Sequence, residues 1–344
     1  MFASIDAARD ALAEVFAPEI VEIFLAALSP AMIFAPLPGD APQRLGATRI
    51  GGTPDMPPSL DWPVRLPPPN VAEIAARGGA AHGEHLRKHL ERALPFEFVA
   101  QIDLVEAARL GPVAEALPRE GRLLLFYEGS TAPWNGGAES CRVLWDRAPA
   151  EILETKPRPA ELAELGAAQV ADYNETARQR GWKPMTLEKT LYWGPARPMR
   201  LEARLQLPDD FSVEAQGNAA LAALFEDEEI VDAYREMLSE RAWDKGAERS
   251  RQQLLGAPTP EQDDPRYDAV VVTEYRVQHL PHDEWKAAWP SIAQKARDWR
   301  LLLQLDMSDY LQMRYAEGTV YFLIRHEDLA ARAFENVVAI YQQT

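Results

Sequence analysis

One segment of this chain occurs twice. The stretch LPFEFVAQIDL at 94–104 returns as RDWRLLLQLDM at 297–307, placing Gln304 over Gln101, Asp306 over Asp103 and Trp299 over Phe96 at a constant spacing of 203 residues. Gly256 and Pro258 in LLGAP answer Gly52 and Pro54 in IGGTP at a spacing of 204. Gly318 before TVYF answers Gly121 before RLLLF at 197, the loop between being shorter in the second copy. Landmarks repeated in one order at nearly one spacing point to a tandem duplication. Each unit then runs through a Gly-x-Pro turn, a helix, a Gln-x-Asp strand, a turn and a glycine-led apolar strand. Two such units associate about a pseudo-twofold axis, each covering the sheet face that the other leaves bare. The expected fold is therefore α+β: one fused domain over 1–344, with internally duplicated mixed or antiparallel sheets and flanking helices. Its parts are N-terminal helices (1–43), a first unit (44–146), a connecting and helical insert (147–250) and a second unit (251–344).

The first unit opens on TRIGGTPDMPPSLDWP (48–63), whose adjacent glycines, clustered prolines and tryptophan suit neither a helix nor an inner strand. Gly51 and Gly52 are expected at positive φ or where backbones approach closely, with Trp62 anchoring the far end of a structural clasp. Upstream, Ile5, Leu12, Val15 and Phe16 form one helical stripe, and Pro18 starts a second helix that carries Ile20, Ile23, Phe24 and Leu28. Further helices are expected over 71–92, after Asp103, near 159–180, over 219–240, over 283–298 and over 327–343. Strands are expected at 94–104, 121–128, 140–146, 199–207 and 267–277, and at WRLLLQLDM and GTVYFLIR. Residues 147–218 are the hardest to read.

Charge narrows the function classes. A formal net charge of −17 repels phosphate backbones and anionic lipid headgroups, and speeds encounter with basic partners. Nucleic acid and membranes are thus poor partners, and a basic protein is the expected one. The acidic run Glu226–Glu229 and the variable segment 147–218 offer it surface. Cys141 is the only cysteine, so no intrachain disulfide forms, which fits a reducing compartment. The N-terminus lacks a basic start and carries Asp6, Asp10, Glu14, Glu19 and Glu22, unlike a secretory signal. No run of eighteen apolar residues exists. A soluble, cytoplasmic monomer is expected.

TRIGGTPDMPPSLDWP, LPFEFVAQIDL, LPREGRLLLFYE, LLGAPTPEQDD and WRLLLQLDMSD with GTVYFLIRHEDL together resemble the YwqG-like family, the domain of unknown function DUF1963, over about residues 44–341. The resemblance implies a duplicated α+β domain in a bacterial, cytoplasmic setting, with no established activity and no catalytic residues to carry over; no cofactor is expected. The chain departs from the family pattern at YAEGTVYFLI and across 147–218.

Several residues carry candidate chemistry. On a strand, Gln101 and Asp103 share one face, and Gln304 and Asp306 do the same. Across a pseudo-twofold cleft, Asp103 and Asp306 would pair as acid and base or hold a metal. Alternatively, each aspartate caps a helix start while each glutamine satisfies the neighbouring Gly-x-Pro loop. His82, His85 and His89 lie at i, i+3 and i+7 of a helix, a spacing that suits metal ligation, yet the segment is basic and glycine-led like a solvated face and has no HExxH. Trp134 in YEGSTAPWNGG either packs on a ligand or lids the core. Arg49 is placed to pair with a carboxylate of the repeat, and Cys141 reads as a buried core thiol. GxSxG, GxGxxG and GxxxxGK[ST] are all missing from the sequence. Two functions remain: a non-enzymatic binding or interaction module, and a hydrolase using Asp103 and Asp306.

Overall fold

Apolar runs bounded by turn residues fold into the strands of a computed structural model that describes residues 1–38, 44–186, 190–243, 252–312 and 316–343. In chain order the strands are β1 (Ser29–Pro36), β2 (Arg49–Ile50), β3 (Asp55–Met56), β4 (Val64–Arg65), β5 (Leu94–Pro95), β6 (Glu97–Asp103) and β7 (Arg122–Tyr127). They continue as β8 (Cys141–Asp146), β9 (Glu154–Thr155), β10 (Arg197–Gln206), β11 (Gln253–Leu254), β12 (Trp299–Asp306), β13 (Thr319–Arg325) and β14 (Val338–Gln342). Ten of them form one antiparallel sheet in the order β14-β13-β12-β11-β1-β10-β2-β6-β7-β8, and β3 with β9 and β4 with β5 make small pairs. The sheet curls until its ends nearly meet: Gly137, just before β8, exchanges backbone hydrogen bonds with Ala339 of β14 at 2.8 and 3.2 Å. The result is a nearly closed, barrel-like sheet filled by one apolar core, with Phe34, Ile102, Leu123, Leu201, Leu303 and Phe322 among its buried members.

One sheet therefore replaces the expected facing sheets. Its middle is the β1–β10 ladder, paired from Ser29 with Gln206 to Pro36 with Met199. Segments expected to flank or connect the units, β1 and β10, thus supply its central strands. Outside the wall, Trp299, Tyr321, Leu323 and Ile340 pack under the helix His282–Ala296, and the N-terminal helices Ile5–Ala13 and Pro18–Ala26 pack with Leu207, Leu221 and Tyr234.

Four expected elements differ. Residues 267–277 are not a strand: Asp264 caps a helix at Pro265–Val270, followed by a π-helical turn at Val271–Tyr275. The closing helix stops at Ala331, where Arg332 turns left-handed at φ 63°, and the chain ends on β14. The helix over 71–92 breaks at Gly78–Gly79 into Val71–Arg77 and Gly79–Leu90. That over 219–240 splits into Ala219–Leu224 and Glu228–Trp243, where the Asp227 carboxylate accepts from Glu229 N at 3.0 Å and starts a new helix.

Candidate functional site

The helix Gly79–Leu90 lies against the loop after β7, and between them opens a pocket of ≈ 380 Å³. A volume of that size accommodates a small ligand. His82 and His85 come from the exposed face of the helix, and Trp134 from the loop. Met307, Glu317 and Tyr341 close the far side. Trp134 is half-buried because its ring packs against the cluster of Ile74 and Leu86, while the His82 ring sits 5.6 Å from it at 31°. Arg77 Nη1 donates to Trp134 O at 2.9 Å and fixes the loop backbone. Opposite, the Tyr341 hydroxyl donates to Glu317 O at 3.0 Å. Burial first, then the charge of Glu317, push that hydroxyl up to about 12, so it remains a neutral donor.

Behind the pocket lies a buried cluster of charged groups. Glu128 directly follows β7 at the start of the pocket loop, and its carboxylate accepts from Arg65 Nε at 2.8 Å and lies 3.1 Å from His89 Nε2. Burial opposes ionisation of Glu128, yet His89 and Arg65 outweigh it and hold the group below its ordinary range. Glu97 goes the other way: burial and the charge of Glu128 raise it well above the usual carboxylate range. Its Oε2 accepts from Gly129 N at 3.4 Å. Glu97, beside Glu128, thus braces the start of the loop that carries Trp134. Glutamate in the apolar run LPFEFVAQ was the available sequence signal for this cluster. Arg65 and Glu128 gave none, because partners 63 residues apart meet only in the fold.

A family model described as a domain of unknown function, DUF1963, matches residues 48–342. The chain belongs to the DUF1963 family. No curated protein matches it. The DUF1963 segment holds β2 to β14, the buried cluster and every pocket residue named above, whereas β1 and the two N-terminal helices precede it.

Within that segment the sequence-read residues separate into two groups. His82, His85 and Trp134 come together at the pocket. His89 turns inward and is buried against Glu128, so the histidine helix is solvated only in part. Among the described residues no group of three or more His, Cys, Asp or Glu side chains is placed to hold a metal ion.

Asp103 and Asp306 each have partners of their own, and β11, β1, β10 and β2 lie between β6 and β12 in the sheet order. The Asp103 carboxylate accepts from Val105 N at 2.9 Å and pairs with Arg44, while that of Asp306 accepts from Asp309 N at 2.8 Å and Ser308 Oγ at 2.7 Å. Both cap short helices. Gln101 Oε1 accepts from Asp55 N at 2.8 Å, and its Nε2 donates to Ala47 O at 2.8 Å. Gln304 Oε1 accepts from Thr259 N at 2.8 Å. Arg49 lies 2.6 Å from Asp55. Burial works against the Asp55 carboxylate, but Arg49 and the Gly46 N–H hold it below its ordinary range. Trp62 Nε1 donates to Phe96 O at 2.8 Å and anchors the opening stretch. Burial pushes the Cys141 thiol up to about 12, which disfavours the thiolate.

Proposed function

We propose that this DUF1963 protein is a non-enzymatic binding module whose ligand site is the pocket between the helix Gly79–Leu90 and the loop carrying Trp134. The observation that carries this reading is the convergence of Trp134, His82 and Tyr341 on one cavity outside a solid core. An indole braced by a hydrogen-bonded loop offers stiff contact area at low entropic cost. The alternative, a hydrolase using Asp103 and Asp306, draws no support from two carboxylates that each cap a helix on strands far apart in the sheet. Ligand-observed NMR with a small-fragment library tests the reading. Hits are expected whose signals vanish with Trp134→Ala while the melting temperature stays within a few degrees. Hits indifferent to Trp134→Ala and to His82→Ala would sink it.

The same reading includes a basic protein as macromolecular partner, favoured by the −17 net charge, and a cytoplasmic setting, favoured by a lone buried cysteine, with the chain as a monomer. No helix among the described residues is long and apolar enough to cross a membrane.

A tandem duplication underlies the scaffold in this proposal, and matched contacts support it. Gln101 and Gln304 each accept from a loop N–H at 2.8 Å, and Leu104 N and Met307 N donate to Gly121 O and Gly318 O at 3.1 and 3.0 Å. The pair Gly51–Gly52 takes φ 70° and 72°, and Leu255–Gly256 takes 57° and 82°. From the central ladder the sheet runs outward as β2-β6-β7-β8 on one side and β11-β12-β13-β14 on the other.

A further inference from the structure

We infer that the pocket selects an organic cation, a substituted ammonium head group, over anions and over neutral molecules of the same shape. This inference rests on the binding-module reading and assigns its ligand class. The lining includes the aromatic residues Trp134 and Tyr341, Met307 and the exposed Glu317, beside the imidazoles of His82 and His85. Aromatic faces attract cations through their quadrupole, most of all a weakly hydrated alkylammonium that gives up little solvation on entry. No lysine or arginine is among the described residues lining the pocket.

Two arginines next to the pocket are already matched. Arg77, which holds the Trp134 loop, pairs with Glu73, and Arg65 behind the floor pairs with Glu128. The Tyr341 hydroxyl lies 3.0 Å from Glu317 O and 2.8 Å from Gln343 Oε1, so its single proton is taken within the protein and its ring is left to contact a ligand. An anion would meet Glu317 and the field of a −17 chain. A cation entering the same mouth gains from both.

Calorimetric titration of choline against its uncharged carbon isostere, dimethylbutanol, tests the inference on the full chain. Choline is expected to bind about tenfold tighter or more. Glu317→Gln, an exposed substitution, is expected to shrink that preference several-fold, and Trp134→Ala to abolish binding of both. Trp134→Phe keeps a ring and is expected to retain part of the preference, so a fold defect in the alanine variant cannot mimic the result. Equal or tighter binding of dimethylbutanol overturns the cation assignment and leaves the pocket reading standing. Binding of neither, while other fragments bind in a Trp134-dependent way, overturns it equally. If no fragment binds either, both readings fail.

Discussion

At the residue scale the adjacent glycines of the opening stretch are the most constrained positions. Gly51 sits at φ 70°, and a Cβ there would fall 2.2 Å from Pro195 O; at Gly52, φ 72°, it would fall 2.7 Å from the Ala196 side chain. Gly52 N also donates to Gly194 O at 2.9 Å, so the segment after Trp193 is clasped onto β2. Gly111 provides the control, with φ 79° and nothing within 4 Å of its would-be Cβ. Gly111→Ala is expected to cost about 1 kcal/mol, the strain of a left-handed backbone alone. Gly51→Ala adds a clash with backbone that cannot swing away, and is expected to cost about 3 kcal/mol or more. Denaturant melts of the two variants decide it, and equal midpoints would refute the clasp. The need for glycine was legible in Gly-Gly followed by proline. The partner segment was not, because residues 194–196 lie in the stretch that carried the weakest pattern.

At the element scale, the misread segment 267–277 shows which signal outweighs which. YDAVVVTEYRV has strand composition, yet Asp264-Pro265 before it supplies a cap and a first-turn proline, and the helix they start wins locally. The C-terminal misreading is the reverse: helical periodicity runs past Ala331, but Val337, Val338 and Ile340 favour the pleated edge of β13.

The two elements are joined by Asp268, whose Oδ2 accepts from Gln342 Nε2 at 3.0 Å. Burial is the main cause that raises this carboxyl to about 6, helped by Asp263 and Asp264. A folded-state value above the unfolded one, near 3.9, means that Asp268 contributes stability fully below pH 4 and loses it as pH rises through about 6. Asp268→Asn keeps an acceptor for Gln342 and carries no charge. It is expected to raise stability at pH 7 by up to about 3 kcal/mol and to leave it little changed at pH 4. Thermal melts at both values test this, and an equal shift at pH 4 and pH 7 would show that titration of Asp268 is not the cause.

At the scale of the whole molecule, what the sequence hid was closure. Gln-x-Asp recurs on β6 and β12, but nothing around either copy says that β1 and β10 will pair along eight positions and join everything into one wall. Nor did spacing announce the pocket, whose lining comes from six separate stretches between His82 and Gln343. Closure carries the argument for interdependence.

A fragment ending at residue 215 lacks β11 to β14. It thereby uncovers the second edge of β1, which pairs β11 through Met32 and Ile33, and removes the partner of Gly137. It also strips Leu303, Leu305, Val320 and Phe322 from the core that Phe34, Ile102 and Leu123 share. An open sheet with an exposed apolar face cannot offset the entropy of ordering its chain. The fragment is therefore expected to bind a hydrophobic dye and melt without a cooperative transition, whereas the full chain melts sharply. A sharp two-state melt of the fragment alone would mean that the first half closes its own core, and the single-sheet account of stability would have to be abandoned.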